Sequence, residues 1–221
     1  MKRGQQGVAL ITVLLVVALA AMVCTALVTR QQLSIRTAAN QLHARQGWHY
    51  ARGGEQLAIA LLVEDLRQTA VSDHLGETWA QSLLAYPLDG GQLSLSIDDL
   101  SGRFNLNSVV QSGQVDAEAV ARLQRLLVLL QLDPQLAWQL VAWIAPALAP
   151  ERVRQQAERD YQRRSPAYRP ARRALQDVSE LRLLAGIDAP AYQRLLPHVT
   201  ALPSNTTLNL NTADAWVLAT L

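Results

Sequence analysis

The sequence predicts an α+β fold led by one long N-terminal helix. Three observations carry that prediction. Residues 8–29 hold no charge over 22 positions. Residues 92–98 alternate, with Leu93, Leu95 and Ile97 on one side, as a half-buried strand does. Beyond residue 112 the apolar spacing turns helical, with cap residues before several runs.

The apolar run sets the first element. As a helix its 22 residues reach about 33 Å, enough to cross a hydrocarbon core of about 30 Å. Lys2 and Arg3 precede it, and such flanking charge stays on the cytoplasmic side. Helical spacing continues from 30 to about 70, now amphipathic. Ile35, Ala38, Ala39 and Leu42 form one stripe; Leu57, Ala58, Leu61, Leu62 and Leu66 form another. Gly47 and the Gly53-Gly54 pair interrupt the pattern and are expected to bend or loosen it. Trp48, His49 and Tyr50 fall mid-helix as packing or surface residues.

Asp89-Gly90-Gly91 is a turn signal ahead of the alternating strand, and 98–107 reads as a turn followed by a second extended segment. Asp116 caps a helix running to about Leu132, and Asp133-Pro134 starts another through Trp143. Helices also fit 150–162, 178–185 with Ser179 near the start, and 189–196. A capped apolar helix is expected over 212–221. The result is a helical block of about 90 residues after the first strands.

Composition narrows function. Half the residues are hydrophobic, so a core is affordable outside the apolar run. The net charge of +2 comes from Lys2 and Arg3; without residues 1–7 the chain balances at 18 basic and 18 acidic residues. A basic isoelectric point is therefore no argument for nucleic acid. Cys24 is the single cysteine, so no intrachain disulfide forms. His43, His49, His74 and His198 lack metal-ligand spacing, and no serine lies in a nucleophile elbow. No enzymatic activity is expected.

Three readings fit the N-terminus. A secretory signal would be cut near Ala18-Leu19-Ala20, although the apolar run continues past that point. A plain anchor explains length and charge. A prepilin leader would be a short basic peptide ending at Gly7, cut on the cytoplasmic side with the apolar run retained.

Gly7 followed by Val8-Ala9-Leu10-Ile11-Thr12 resembles the type IV prepilin processing motif. The resemblance implies cleavage between Gly7 and Val8 by a prepilin peptidase and N-methylation of Val8. It also places Thr12 where most pilins carry a glutamate that meets the amino terminus of an earlier subunit. A buried carboxylate is kept in lipid only where it has a partner, so a first, tip subunit tolerates its loss.

The second half resembles the K-type minor pseudopilins of the type II secretion system. The likeness rests on residues 99–107 (DLSGRFNLN), Trp143-Ile144, Pro166-Ala167-Tyr168-Arg169-Pro170 and Val178-Ser179-Glu180-Leu181-Arg182. Leu195-Leu196-Pro197 with Leu202-Pro203 and Leu208-Asn209-Leu210-Asn211-Thr212-Ala213 extend it. The family implies a pilin-like antiparallel sheet with a large inserted helical domain, and I-type and J-type minor pseudopilin partners at a pseudopilus tip. The implied organisation is a leader over 1–7, a transmembrane helix over 8–29, a pilin-like helix and first strands over 30–110, an inserted helical domain over 111–203, and a return to the sheet over 204–221. The C-terminal part is expected to be incomplete, since further strands would finish the sheet. The implied location is the inner membrane, single-pass, with the N-terminus cytoplasmic and the C-terminal domain periplasmic.

Two further expectations concern ligands. Some family members bind calcium after the Trp-Ile phrase, but here Ala145-Pro146-Ala147-Leu148-Ala149-Pro150 stands where acids would be. If calcium binds, Glu158 and Asp160 are its expected ligands, against a plain reading of an arginine-rich solvated helix. Eight arginines lie between Arg152 and Arg173, and Leu208–Ala213 and 178–187 resemble helix-hairpin-helix phrases. A membrane-anchored periplasmic DNA-binding protein is thus the alternative from a different class; no nucleic acid is expected under the main reading.

Overall fold

A computed structural model describes residues 5–68, 72–81, 83–88 and 90–221. Lys2 and Arg3 of the expected leader and Asp89 of the expected turn lie outside the described residues. The fold is α+β, with a long N-terminal apolar helix and small two-stranded sheets. The chain forms two compact units: one comprises Met1–Val63 with Leu83–Leu95, the other Glu64–Ser82 with Ser96–Leu221.

The first unit is dominated by α1, Gln5–Gln68, a single helix of 64 residues whose last turn belongs to the second unit. Gly47, Gly53 and Gly54 do not break it. Gly54 instead makes room: a Cβ there would sit 3.4 Å from Leu93 Cδ1. Leu93 lies on β2 (Gly91–Leu95), which pairs antiparallel with β1 (Leu83–Leu88), joining Tyr86 to Leu93 and Leu88 to Gly91. Leu93 and Leu95 are half-buried while Gln92 and Ser94 are exposed, as the alternation requires. The sequence reading had no strand at 83–88; Pro87 weakens that signal, and pairing with β2 supplies what local propensity lacks.

The second unit holds the core. Its strands are only two residues long. β3 (Phe104–Asn105) pairs parallel with β6 (Val199–Thr200), and β4 (Val110–Gln111) pairs antiparallel with β5 (Gln114–Val115). Ser112 and Gly113 turn that hairpin with φ of 50° and 76°, the left-handed pair that matches strand twist. The helical block therefore begins only after this hairpin, which carries the extended chain past residue 112.

Five α-helices follow among the described residues. Asp116 caps α2 (Ala117–Leu129) by accepting from Ala119 N at 3.0 Å. α3 (Leu136–Ile144) is buried over Leu136, Ala137 and every residue from Leu140 to Ile144, so it forms the centre of the core. α4 (Glu151–Arg163) buries only Ala157 and Tyr161. α5 (Ala189–Leu195) is capped by Asp188. The fully enclosed side chains include Leu126, Leu140, Val141, Tyr161, Leu184 and Val199.

Two expectations are corrected. Residues 178–183 form a 3-10 helix rather than an α-helix to 185, capped by Asp177, which accepts from Ser179 N. The expected helix over 212–221 shrinks to α6, Ala215–Leu218, capped by Asp214. Asn209 Oδ1 accepts from Asn211 N in a local turn, and Thr212 is drawn to Asp99. Both bonds hold the backbone before residue 214 out of helix.

Candidate functional site

The N-terminal helix offers the chain's most distinctive surface. Its described apolar side chains, from Leu10, Ile11 and Val13 through Met22, Leu27 and Val28, are all exposed. An 18-residue window within Ala9–Arg67 has mean hydropathy 2.8 and none of it is buried within the chain. In water such a face is costly at about 25 cal/mol per Å² of apolar surface, so it needs lipid or partner helices. Backbone polarity is no obstacle, because the helix satisfies its own amides. The hydroxyls follow suit: Thr12 Oγ1 donates to Ala9 O at 2.9 Å, Thr25 to Ala21 O and Thr29 to Thr25 O. The helix backbone includes Gly7 and Val8, the expected cleavage pair. Thr12, where a family glutamate was expected, is exposed and uncharged.

In the second unit, the sequence phrases singled out above meet in space. Asp99 Oδ1 accepts from Ser101, while Oδ2 accepts from Thr212 Oγ1 at 2.7 Å and Asn209 Nδ2 at 2.9 Å. Gly102 permits this approach: a Cβ on it would lie 2.6 Å from Thr212 Oγ1 and 2.7 Å from its carbonyl oxygen. Burial would raise Asp99's pKa, but the bonds from Ser101, Thr212 and Asn209 outweigh it and hold the carboxyl below its usual range. Asn105 and Asn107 form the next station. Asn105 donates to Pro203 O at 2.8 Å and accepts from Leu202 N. Buried Asn107 donates to Leu175 O and Leu202 O and accepts from Leu175 N. Phrases about 100 residues apart are thus tied by side-chain amides to backbone.

The Trp-Ile and Pro-Ala-Tyr phrases meet likewise. Trp143, Tyr161 and Tyr168 pack as an aromatic group, with ring centroids 5.4 Å apart for Trp143–Tyr161 and 5.3 Å for Tyr161–Tyr168. Burial pushes the Tyr161 phenol up to about 12. Tyr168 donates its hydroxyl to Leu183 O at 2.6 Å. The helix-hairpin-helix-like phrase serves the core: Leu181, Leu184, Ala185 and Ile187 are buried. Gly186, at φ 83°, turns where a Cβ would press on Leu136 at 3.1 Å.

The proposed calcium pair is not assembled. Glu158 and Asp160 stand two apart on α4, a spacing that points side chains to different faces. Both Asp160 oxygens accept from Gln156 Nε2 at 3.0 Å. These two residues do not fit one calcium ion. The arginines around them are in part committed: Arg154 pairs with Glu151, Arg164 donates to Leu184 O, and Arg173 meets Glu180 at 3.2 Å. The sequence reading passed over Asp65, Asp73 and Glu77, which bring carboxylate oxygens within 4.8 Å of one another. Irregular spacing across a helix end and a loop left no pattern by which to find them.

Comparison with known proteins gives consistent relatives. A family model for type II secretion system (T2SS) protein K matches residues 102–204. The chain is 48% identical to a type II secretion system protein K of Pseudomonas aeruginosa over its full length and 69% of that protein. It is 37% identical to the Klebsiella pneumoniae protein of that name, covering 96% of this chain and 68% of the relative. The crystal structure of the GspK–GspI–GspJ complex from the enterotoxigenic Escherichia coli type 2 secretion system is similar at a TM-score of 0.71 and 28% identity, over 83% of this chain and 68% of that one.

Proposed function

Because the chain belongs to the type II secretion system protein K family, we propose that it is a minor pseudopilin that stands at the tip of the periplasmic pseudopilus, in complex with I-type and J-type partners, and initiates or caps assembly. One observation carries the reading: a 64-residue helix whose most apolar window is entirely uncovered by the rest of the chain. Such a segment serves a protein that is held in lipid and then packs against equivalent helices. Relatives are named as secretion-system proteins rather than enzymes, which agrees with a structural role.

In this mechanism a prepilin peptidase cuts between Gly7 and Val8, and Val8 becomes the methylated terminus. Residues 8–29 then anchor the chain in the inner membrane, with residues 1–7 formerly cytoplasmic and the remainder periplasmic. Ala18, Ala20, Ala21 and Ala26 allow close approach of neighbouring helices. Thr12 needs no partner, since its hydroxyl is satisfied by Ala9 O. Residues 30–110 supply the pilin-like part, 111–203 the helical insertion, and 204–221 the return toward the sheet. The partners are proteins and lipid rather than nucleic acid.

The test is the intact mass of the protein extracted from membranes with and without active prepilin peptidase. Loss of residues 1–7, with an added methyl group, supports the proposal. An uncut chain, or a cut near Ala20, overturns it. Recovery of I-type and J-type proteins on co-purification from intact membranes tests the partners separately.

A further inference from the structure

Three acids converge where the chain leaves α1. Asp65 lies in the last two turns of the helix, and Asp73 and Glu77 lie on the segment that follows; all belong to the second unit. Their nearest carboxylate oxygens fall within 4.8 Å of one another. Three like charges at such distances repel strongly unless something neutralises them.

Glu77 is the unusual member. It is a carboxylate with only 8% of its surface exposed. Its Oε2 is fully engaged, accepting from His74 N at 2.9 Å and Trp79 Nε1 at 2.7 Å. Two donors converging on one oxygen suit a carboxylate rather than a neutral acid. Its Oε1 is buried and has no hydrogen-bond partner among the described residues. His74 Nε2 stands 3.9 Å from it, beyond hydrogen-bond reach. His74 Nδ1 accepts from Gly76 N, so that ring is oriented by its own turn. A buried, ionised, half-satisfied carboxylate is costly by itself, and here it adjoins two more acids.

We propose that Asp65, Asp73 and Glu77 form a divalent-cation site, of calcium type, that clamps the end of α1 to the Asp73–Glu77 segment. The donors are all oxygens, which suits a hard cation rather than zinc or copper. Calcium–oxygen distances of about 2.3–2.6 Å place opposite ligands about 5 Å apart, a span compatible with oxygens that lie within 4.8 Å of one another. Magnesium, with ligands at about 2.0–2.1 Å, draws opposite oxygens closer, to about 4 Å. Asp65 and Asp73 can each offer two oxygens and Glu77 the one left free, with water completing the shell. Asn209 Nδ2, bonded to both Asp73 O at 3.1 Å and Asp99 Oδ2, fixes the segment to the polar network described above. The site is separate from the Glu158–Asp160 pair, and does not depend on the pseudopilus reading.

Trp79 makes the site measurable, because its indole bonds directly to Glu77 and can sensitise terbium, a calcium substitute. The full chain in detergent micelles is titrated with terbium under tryptophan excitation, then with calcium as competitor. Saturable emission, reversed by calcium, is expected. The Asp65→Asn, Asp73→Asn double variant should lower terbium affinity at least tenfold. A second readout guards against misfolding: calcium should raise the wild-type Tm and leave that of the double variant unmoved. Without calcium, the double variant should melt at or above the wild-type temperature, because repulsion is relieved. Emission that is absent or unchanged in the double variant, or a wild-type Tm indifferent to calcium, overturns the proposal and leaves Glu77 facing His74 alone.

Discussion

Asp99 and Thr212 lie 113 residues apart in sequence, yet the Thr212 hydroxyl donates to Asp99 Oδ2 at 2.7 Å. That bond joins the two asparagine-rich phrases, and with Asn209 it closes the C-terminal segment onto the start of the core. Thr212→Val keeps shape and removes the donor. It should destabilise the chain by about 1–2 kcal/mol, the value for a bond to a charged acceptor discounted for partial exposure, as a lower urea midpoint at unchanged slope.

The same carboxylate predicts an acid limit. Its folded pKa is depressed, so its contribution is fully present above the unfolded value, about 3.9, and is lost as pH falls through the folded pKa. Asp99→Asn should be less stable than wild type at neutral pH. The gap should narrow below about pH 4, as measured by melting temperature across pH 2.5–7.

Gly102→Ala tests the close approach directly. The added methyl would enter Thr212's backbone at 2.7–2.8 Å, where no flexible side-chain end can yield. Overpacking of this kind costs about 1–3 kcal/mol. Combining it with Thr212→Val should give much less than additive loss, since both break one junction.

Asn107→Ala should be the most damaging of these changes. It strands Leu175 N and Leu175 O inside the core and Leu202 O at its edge, at about 1–3 kcal/mol for each buried group left unpaired. A fall in the yield of folded protein, or a sharply lowered melting temperature, checks it.

Under the proposed anchoring and cleavage, Thr12→Val should leave insertion and processing unchanged, because the hydroxyl bonds to its own helix. Thr12→Glu places a carboxylate in lipid without a guaranteed partner, a penalty of about 2.5–3.5 kcal/mol. Membrane recovery and secretion of cargo should both fall in that variant and hold in the valine one.

Much of this was legible in the chain itself. The uncharged run at 8–29 and the spacing after it specify a long helix, since hydrophobic periodicity is a local property. Asp116 and Asp188 mark helix starts because a cap needs only its next three residues. The strand Gly91–Leu95 shows in alternation, although the alternation runs on to 98 and the strand stops at Leu95. What sequence could not decide was partnership at a distance. β1 exists because β2 is there to pair with it, and β3 runs parallel to a strand nearly 100 residues later. Thr212 reads as a helix start until Asp99 claims its hydroxyl, and Glu158 with Asp160 reads as a ligand pair until helix geometry separates them. Asp65, Asp73 and Glu77 share no local pattern at all; only folding brings them within one ion's reach. The physical reason is common to all: propensity and capping act over a few residues, whereas buried polar groups take whichever partner the tertiary fold delivers.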